Sequence, residues 1–328
     1  MVPIRVFMIT SEWPTPENPT LVPFIVRQVK FLRKAGIDVH LFPFRGGKDP
    51  KNYLKYWREV RGEISRGNFD IIHTQWGQSG LLALPKQLPL VVTFRGDDLE
   101  GIIGPNGKKT AYGYVLQTLS RFVARAADQV ILVSESLSHA LPKRNYHVIP
   151  SGLDLELFCP TAQDVARRKL GLLNNRRYVL FAGSASNPRK RYALAQQAVN
   201  LLKSELDVDI LTASGIPHEQ VPDYMNASDV MLLVSLHEGS PNVVKEALAC
   251  NLPVVSTDVG DVRQRLSNIA GCMILENDQP EDIARALREV LLRNERVVSR
   301  PSVLDLDENV LTQKVIDVYR QALTSKQH

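Results

Sequence analysis

The sequence predicts an α/β protein with two doubly wound, Rossmann-like domains. Short apolar runs typical of buried strands alternate with amphipathic helical segments along nearly all of the 328 residues. This alternation is typical of parallel sheets whose two faces are covered by helices. The chain is also longer than one hydrophobic core usually requires, and the pattern breaks once, near its middle. We therefore expect two sheets, each binding ligands at the carboxyl ends of its strands.

The predicted elements form two series. The strands of the first series are residues 4–9, 38–42, 70–73, 90–94, 129–133 and 147–150. Those of the second are residues 178–181, 209–212, 230–234, 254–256 and 272–275. Helical patterns occupy residues 24–35, 111–126, 192–202, 243–250 and 281–292. We expect a first domain at 1–155, a second at 156–305, and a last helix within 306–328 that packs back across the domain junction.

The net charge is unevenly distributed along the chain, because the first half has fewer acidic residues. Residues 1–150 contain 20 Lys and Arg against 12 Asp and Glu, whereas residues 151–328 contain 20 against 23. The resulting charges of +8 and −3 favour an anionic partner for the first half, with ordinary solvated faces as the alternative. Three cysteines without metal-type spacing indicate a reducing cytoplasm. The sequence contains no run of about 20 apolar residues, so it predicts no membrane span.

The stretch "HEGSPNVVKEALACNLPVVST" carries the most specific chemistry. Glu238 and Glu246 bracket a predicted turn from a buried strand into a helix. The N-terminus of such a helix offers N–H donors and positive potential to a diphosphate, and a carboxylate accepts hydrogen bonds from adjacent sugar hydroxyls. Gly239 allows the backbone to approach a ligand closely. The arrangement suits a nucleotide-sugar; the alternative is that both acids are ordinary surface charges.

The same stretch resembles the E-x7-E signature of retaining glycosyltransferases of family 4. These enzymes have the GT-B fold, in which two Rossmann-like domains face each other across a cleft. Further segments resemble the family in the expected order, namely "DIIHTQWGQSG", "VVTFRGDDL", "VIPSGLDLELFCP", "FAGSASNPRKRYALAQQAV" and "VPDYMNASDVMLLVS". The resemblance implies a retaining hexosyltransferase that uses a nucleoside-diphosphate sugar, in cell-envelope, polysaccharide or glycolipid synthesis. Its first domain would face the acceptor and its second the donor.

The resemblance also implies roles for individual residues. Glu238 would hold the transferred sugar, Glu246 the ribose hydroxyls, and Lys190 would neutralise the departing diphosphate. The remaining donor-binding residues would be Gly183, Ser184, Arg189, Arg191, Gly239, Ser240, Pro241, Asn242, Val243 and Val244. Because no metal-binding motif and no His or Cys cluster presents itself in the donor half, we expect a metal-independent reaction without a cofactor.

Two positions depart from the family pattern. Ser184 stands where relatives commonly have an arginine, and one of the arginines in "NPRKR" is the candidate replacement for that charge. Arg95 stands where many relatives have a histidine near the reacting sugar. An arginine stays protonated and does not act as a base. We expect Arg95 to bind a phosphate or carboxylate; an ion pair with Asp97 or Asp98 is the alternative.

The acceptor side is less specific. His73 and Trp76 follow a predicted strand, where they would line the acceptor site or simply pack in the core. Residues 48–61 interleave basic with aromatic side chains, which suits an anionic membrane surface unless the aromatics face the core. The basic residues are Lys48, Lys51, Lys55, Arg58 and Arg61. The expected partners are thus a nucleotide-sugar, a glycan, glycolipid or small-molecule acceptor and optionally the inner face of the membrane, with no nucleic acid.

Two other functions stay open on the sequence. A nucleotide-sugar epimerase on the same fold would interconvert sugars without an acceptor. A non-catalytic nucleotide-sugar-binding partner subunit would bind a donor without turnover. Ser184 and Arg95 motivate the second alternative, because both depart from the family pattern at positions near the chemistry.

Overall fold

The computed structural model describes residues 3–47, 50–102, 108–141, 145–181 and 183–324. The chain divides into two compact units. The first combines the chain up to Gly152 with the chain from Glu308 onward, and the second is Leu153–Asp307. Each unit contains one parallel sheet. The divisions differ by two or three residues from the predicted boundaries at 155 and 305, and the last helix counts with the first unit.

The sheet of the first unit has the strand order β2-β1-β3-β4-β5-β6, and all neighbours are parallel. Its strands are β1 Arg5–Thr10, β2 Asp38–Pro43, β3 Ile71–Gln75, β4 Leu90–Phe94, β5 Gln129–Leu132 and β6 His147–Val148. The central strands are apolar and buried, as both faces of a covered parallel sheet require. From β1 the chain adds β2 on one side of the sheet and then β3 to β6 on the other. The switch point, where α/β sheets bind ligands, therefore lies between β1 and β3.

The sheet of the second unit has the strand order β11-β10-β9-β7-β8, again parallel throughout. Its strands are β7 Arg177–Phe181, β8 Val208–Thr212, β9 Val230–Leu233, β10 Val254–Thr257 and β11 Met273–Leu275. The switch point of this sheet lies between β7 and β9. The loops that leave these two strands are therefore neighbours, although about 50 residues separate them in sequence.

Twelve α-helices occur in the described ranges. They are α1 Pro23–Lys34, α2 Pro50–Arg66, α3 Gly77–Gly80, α4 Asp97–Glu100, α5 Ala111–Ala126, α6 Gln163–Leu170, α7 Tyr192–Leu202, α8 Val221–Ala227, α9 Asn242–Ala249, α10 Val262–Leu266, α11 Pro280–Arg293 and α12 Glu308–Thr324. None of the helices in these ranges combines the length and apolar character needed to cross a membrane.

Helix α12 packs against α1 and three strands of the first sheet. Its first residue, Glu308, accepts a hydrogen bond from Arg27 at 3.2 Å, and both side chains are buried. Arg27 also donates to the carbonyl oxygen of Gly152, where the chain leaves the first unit. This buried cluster ties the helix to the sheet that precedes it in sequence by more than 150 residues.

The predicted fold class is confirmed, since two parallel-sheet α/β units are present. All eleven predicted strands occur with ends that shift by at most two residues. The predicted helices at 111–126 and 192–202 have the observed bounds. Agreement is this close because apolar runs in a covered parallel sheet contrast sharply with the amphipathic pattern of the helices between them.

Candidate functional site

The switch point of the second sheet brings together the residues with the strongest predicted roles. The loop after β7 carries Lys190, and the loop after β9 carries Glu238. Because β7 and β9 are hydrogen-bonded neighbours, both loops leave the same end of the sheet. The site is thus assembled by strand order and not by proximity in sequence.

Lys190, Arg189 and Glu238 form a compact ion cluster. Lys190 Nζ lies 2.6 Å from one carboxylate oxygen of Glu238, and Arg189 donates to the other at 3.1 Å. The Glu238 side chain is only 11% exposed. Burial alone would raise the pKa of this carboxyl group, but the two cations outweigh burial and lower its pKa below the usual value. Glu238 is therefore an anion held between two donors.

The backbone holds the two cations in place. Residues Pro188–Lys190 form a 3-10 turn, and the side chain of Asn187 caps it by accepting from Arg189 N at 3.1 Å. Arg189 also accepts a backbone hydrogen bond from Leu236 at 3.0 Å, which ties this turn to the Glu238 loop. The position of the ion cluster is consequently set by main-chain contacts.

The other predicted residues of this loop lie around the cluster without joining it. Arg191 donates to the carbonyl oxygen of Val234 at 2.6 Å and pairs with Asp278. Ser184 is hydrogen-bonded to Ser186 at 2.8 Å. A Cβ placed on Gly183 would lie 3.5 Å from the Lys190 stem. Of the two arginines considered as substitutes at position 184, only Arg189 contacts Glu238.

The turn from β9 into α9 is braced by a loop that the sequence interpretation missed. Ser240 Oγ donates to Asp261 Oδ2 at 2.8 Å. Gly260 has a φ of +58°, and a Cβ there would lie 2.7 Å from the carbonyl oxygen of Glu238. Only glycine combines this backbone conformation with such a close approach. The "VGD" triplet at residues 259–261, directly after a buried strand, is the sequence signal that would have predicted this contact.

Helix α9 begins directly after Pro241, and its first amides have no acceptors within the helix. Asn242 and Val243 occupy its first two positions, and Val244 is buried in the third. The positive end of the helix therefore lies at the same turn as the ion cluster. Together they supply N–H donors and cations to one place.

Glu246 lies on the same helix and is 6% exposed. Its Oε1 is 3.0 Å from Nε2 of His218, which sits on a 3-10 turn after β8. The ring of His218 packs 5.2 Å from the ring of Phe158. The sequence analysis did not single out His218 as a site residue. Its contact with Glu246 spans 28 residues and is not visible in sequence spacing.

In the first unit, Arg95 lies beyond the end of β4 and is held by neutral groups. It donates twice to Gln75 Oε1, at 3.1 and 2.8 Å, and once to Ser151 Oγ at 2.9 Å. Its guanidinium lies 4.7 Å from the ring centroid of Phe24. Among the described residues, none pairs a carboxylate with this side chain. Burial, with the charge of Arg27 adding to it, lowers the pKa of Arg95 to about 10, so the group remains a cation at neutral pH.

The ion pair considered for Arg95 with the following aspartates does not form. Asp98 is buried and accepts from the backbone amides of Arg95, Gly96 and Gly77 at 3.0 to 3.1 Å. Its carboxylate thus stabilises the two loops after β3 and β4. Asp97 is exposed. The Arg95 side chain points instead to glutamine, serine and phenylalanine partners.

His73 and Trp76 have very different surroundings. His73 is fully buried, and its ring nitrogens lie 2.7 Å from Tyr319 Oη and 2.8 Å from Thr93 Oγ1. His73 therefore packs in the core and does not line the acceptor site, because both ring nitrogens already have protein partners. Trp76 is half-buried, follows β3, and has φ 66° and ψ 152°, a conformation that costs about 1–3 kcal/mol in a non-glycine residue. Of the two, Trp76 is the better acceptor-side candidate.

The aromatic residues of the predicted membrane segment face inward. Tyr53, Tyr56 and Trp57 on α2 pack against the core of the first unit. Trp57 Nε1 donates to the carbonyl oxygen of Leu84 at 2.6 Å. Lys48 lies outside the described residues. On α2, the alternative in which aromatic residues face the core is therefore the observed one.

No three His, Cys, Asp or Glu side chains converge as metal ligands in the described ranges. The second unit nevertheless combines two cations, a helix N-terminus and two buried carboxylates at one end of its sheet. Cations and amides at this end suit a diphosphate, and carboxylates suit hydroxyl groups.

Comparisons with known proteins match both halves of the chain to glycosyltransferases. The model of "Glycosyltransferase Family 4" matches residues 3–157, and that of "Glycosyl transferases group 1" matches residues 161–293. A protein of Bacillus subtilis (strain 168), named as the teichuronic acid biosynthesis glycosyltransferase TuaC, is 26% identical over 92% of either chain. A D-inositol 3-phosphate glycosyltransferase of Geodermatophilus obscurus is 26% identical over 77% of this chain and 67% of that protein.

Solved structures share the fold at low sequence identity. Sucrose-phosphate synthase (tll1590) from Thermosynechococcus elongatus aligns with a TM-score of 0.79 and 16% identity, over 98% of this chain and 100% of that one. Anabaena Alr3699/HepE in complex with UDP-glucose aligns with a TM-score of 0.69 and 16% identity, over 97% and 99%.

Proposed function

Because the chain belongs to glycosyltransferase family 4 and has the GT-B fold, we propose that it is a retaining hexosyltransferase using a nucleoside-diphosphate sugar. The observation that carries this proposal is the ion cluster of Lys190, Arg189 and Glu238 at the N-terminus of α9. In the proposed complex, two cations and a carboxylate that is only 11% exposed would lie where the diphosphate joins the sugar. Glu246, eight residues further along, supplies the second carboxylate.

We assign the donor contacts from this geometry. Glu238 accepts hydrogen bonds from hydroxyls of the transferred sugar, and Glu246 accepts those of the ribose. Lys190, Arg189 and the first amides of α9 hold the diphosphate. The two cations pair with Glu238, so a diphosphate bound here would exchange part of these contacts for its own. UDP-glucose is bound by the neighbour HepE, which makes UDP-sugars the first donors to test.

The reaction balances without a metal or an enzymic base. The bond between the anomeric carbon and the diphosphate oxygen breaks, and the acceptor oxygen bonds to the same face of that carbon. The acceptor proton passes to the departing diphosphate, whose charge Lys190 and Arg189 stabilise. This route fits Arg95, which as a cation orients groups at the acceptor side but does not remove a proton. We further propose a hydroxyl acceptor of cell-envelope, polysaccharide or glycolipid synthesis, by analogy with the relatives' names.

The proposal is tested by donor binding followed by turnover. We expect one of UDP-, GDP-, dTDP- and ADP-sugars to raise the melting temperature, because ligand at about 100 times its Kd adds roughly 2.7 kcal/mol of stability. Glu246→Gln should reduce this shift in melting temperature. The control Glu219→Gln, at an exposed position next to His218 in sequence, should not. With the identified donor, release of the nucleoside diphosphate should require an acceptor, persist in EDTA, and give a product with the donor's anomeric configuration.

The outcomes separate the alternatives. Direct interconversion of two nucleotide-sugars without acceptor would identify an epimerase. Donor binding without turnover across an acceptor panel would identify a non-catalytic binding subunit. Absence of binding to every nucleotide-sugar would contradict the donor site itself. An inverted product would leave a transferase but reject the retaining reaction.

A further inference from the structure

Helix α5 exposes an apolar face that the described residues leave uncovered. Tyr114, Val115, Leu119 and Phe122 are 59%, 54%, 36% and 55% exposed. At about 100° per residue they share an arc of roughly 140° on the helix surface. The opposite face is also apolar and packs into the first unit through residues such as Val123. A solvent-facing helix face normally carries polar side chains, and a contiguous exposed apolar patch marks an interaction surface.

The same segment is strongly basic. Residues 108–127 contain no Asp or Glu and four basic residues: Lys108, Lys109, Arg121 and Arg125. Lys109 Nζ donates to Gln117 at 3.2 Å and lies 5.2 Å from the ring of Tyr114. Arg121 Nε donates to the carbonyl oxygen of Ala140 at 2.7 Å. Both of these partners are uncharged, so neither hydrogen bond neutralises the charge of Lys109 or Arg121.

We propose that α5 docks the protein on an anionic lipid bilayer. An amphipathic helix with aromatic and aliphatic residues on one face and basic residues beside them inserts that face at the boundary of head groups and acyl chains. Each Lys or Arg near an anionic surface adds to the attraction, and their long stems let the charges reach lipid phosphates. A second copy of this chain fits less well, because pairing two such helices would bring like charges together.

The docking helix is connected to the acceptor-side edge of the first sheet. Gln117 Nε2 donates to the carbonyl oxygen of Leu99 in α4 at 2.6 Å. Helix α4 begins two residues after Arg95, where the chain leaves β4. A docked α5 would therefore hold the Arg95 end of this sheet beside the bilayer, where the head group of a lipid-linked acceptor lies. This last step rests on the proposed transferase function; the docking does not.

Helix α2 supplies a matched control on the same unit. It is also basic, but its aromatic residues face the core and Leu54 is the large apolar side chain that it exposes. Leu54 is 51% exposed, close to the exposure of Phe122. Replacing Leu54 and Lys55 thus removes equivalent side chains from the helix for which the sequence analysis considered a membrane contact.

Vesicle cosedimentation tests the proposal. Wild-type protein should bind vesicles of phosphatidylcholine with phosphatidylglycerol at low salt, and bind poorly to phosphatidylcholine alone. Val115→Ser with Phe122→Ser should lower the partition coefficient by at least about tenfold, since each apolar side chain gains by burial. Arg125→Gln should lower it roughly fivefold. Leu54→Ser and Lys55→Gln should leave it within about twofold, and about 1 M salt should remove most binding.

All other results overturn the proposal. These include no binding of the wild type to anionic vesicles, or binding that survives the α5 substitutions. Binding lost in the α2 variant instead would assign the contact to α2. A concentration-dependent dimer that is abolished by the α5 substitutions would assign the face to a second copy. Unchanged melting temperatures show that the variants are folded, and unchanged donor binding keeps this test separate from that of the donor site.

Discussion

The ammonium group of Lys190 lies 2.6 Å from one carboxylate oxygen of Glu238, and Arg189 donates to the other. The two cations differ in setting. The Lys190 side chain is 16% exposed, whereas that of Arg189 is 44% exposed and more strongly screened by solvent. A charge in a site that excludes water interacts more strongly with a ligand. Lys190 should accordingly contribute more than Arg189 to binding and catalysis.

Lys190→Ala should lower kcat by about 10²–10³, because the charge developing on the diphosphate loses its principal cation. Arg189→Ala should have a smaller effect. The control is Lys203→Ala, which removes an exposed lysine paired with Asp209 in the same unit. Single-turnover kinetics with saturating donor measure the effect. Wild-type rates in Lys190→Ala would contradict the assigned role.

His218 contacts the proposed donor-binding residue Glu246. Their side chains are 3.0 Å apart, and removal of the histidine frees a carboxylate that it orients. His218→Ala should weaken donor binding by up to about tenfold, in line with a hydrogen bond of roughly 1 kcal/mol, while kcat at saturating donor changes little. Calorimetric titration measures this. Its exposed neighbour provides the control, since Glu219→Ala should bind donor normally. A large fall in kcat would place His218 in the chemistry instead.

At the scale of elements, α12 is fixed to the first unit by buried polar contacts as well as apolar ones. Glu308 is 4% exposed at its side chain and pairs with Arg27, which is 6% exposed. A Cβ on Gly152 would lie 2.9 Å from the Cα of Glu308, so the two chain segments approach closely here. Such a pair is costly to break, because removal of one partner leaves the other charge buried.

Glu308→Ala should lower the free energy of unfolding by about 3–5 kcal/mol. The change leaves the Arg27 guanidinium buried without its carboxylate. Urea denaturation followed by circular dichroism measures the loss. Val310→Ala, at an exposed position of the same helix, should change stability by less than about 1 kcal/mol. Equal stability of the Glu308 variant and the wild type would show that the pair contributes nothing net.

Helices α2 and α5 show the limit of amphipathic patterning. Both combine basic with aromatic residues, and the sequence analysis considered a membrane contact only for residues 48–61, with aromatics that face the core as the alternative. The structure turns the aromatics of α2 into the core and leaves those of α5 exposed. Periodicity identifies the faces of a helix, but a helix with apolar residues on two faces gives no indication of which face meets the sheet.

At the scale of the whole molecule, the stability of the first unit depends on a neutral histidine in its core. His73 joins β3 to α12 through its 2.7 Å contact with Tyr319 Oη, across 246 residues. Burial, reinforced by the charge of Arg95, lowers the pKa of His73 to about 3. An unfolded histidine has a pKa of about 6.5. The depressed pKa therefore adds stability above about pH 6.5, and this stability is lost as pH falls toward 3.

Between about pH 6 and pH 4, the wild type should lose up to roughly 1.4 kcal/mol of unfolding free energy per pH unit through this residue. His73→Gln should be less stable at pH 7 but show a correspondingly flatter pH dependence. Urea titrations across this range measure the difference between the two proteins. The exposed His139→Gln should retain the wild-type slope. Identical slopes for His73→Gln and wild type would mean that folding does not lower the pKa of His73.

Local sequence patterns predict the class of fold, the positions of the strands along the chain and the turn that carries Glu238 and Glu246. These features depend on the periodicity of apolar residues and on turn residues, all within stretches of about 25 positions. Such local patterns can be identified in a single sequence. Three contacts follow only from the three-dimensional arrangement. Lys190 pairs with Glu238, His218 contacts Glu246, and Ser240 donates a hydrogen bond to Asp261. The tertiary structure also decided which helix exposes its apolar face. The physical reason is that strand order at the switch point brings loops together, and strand order leaves no periodic mark in the sequence.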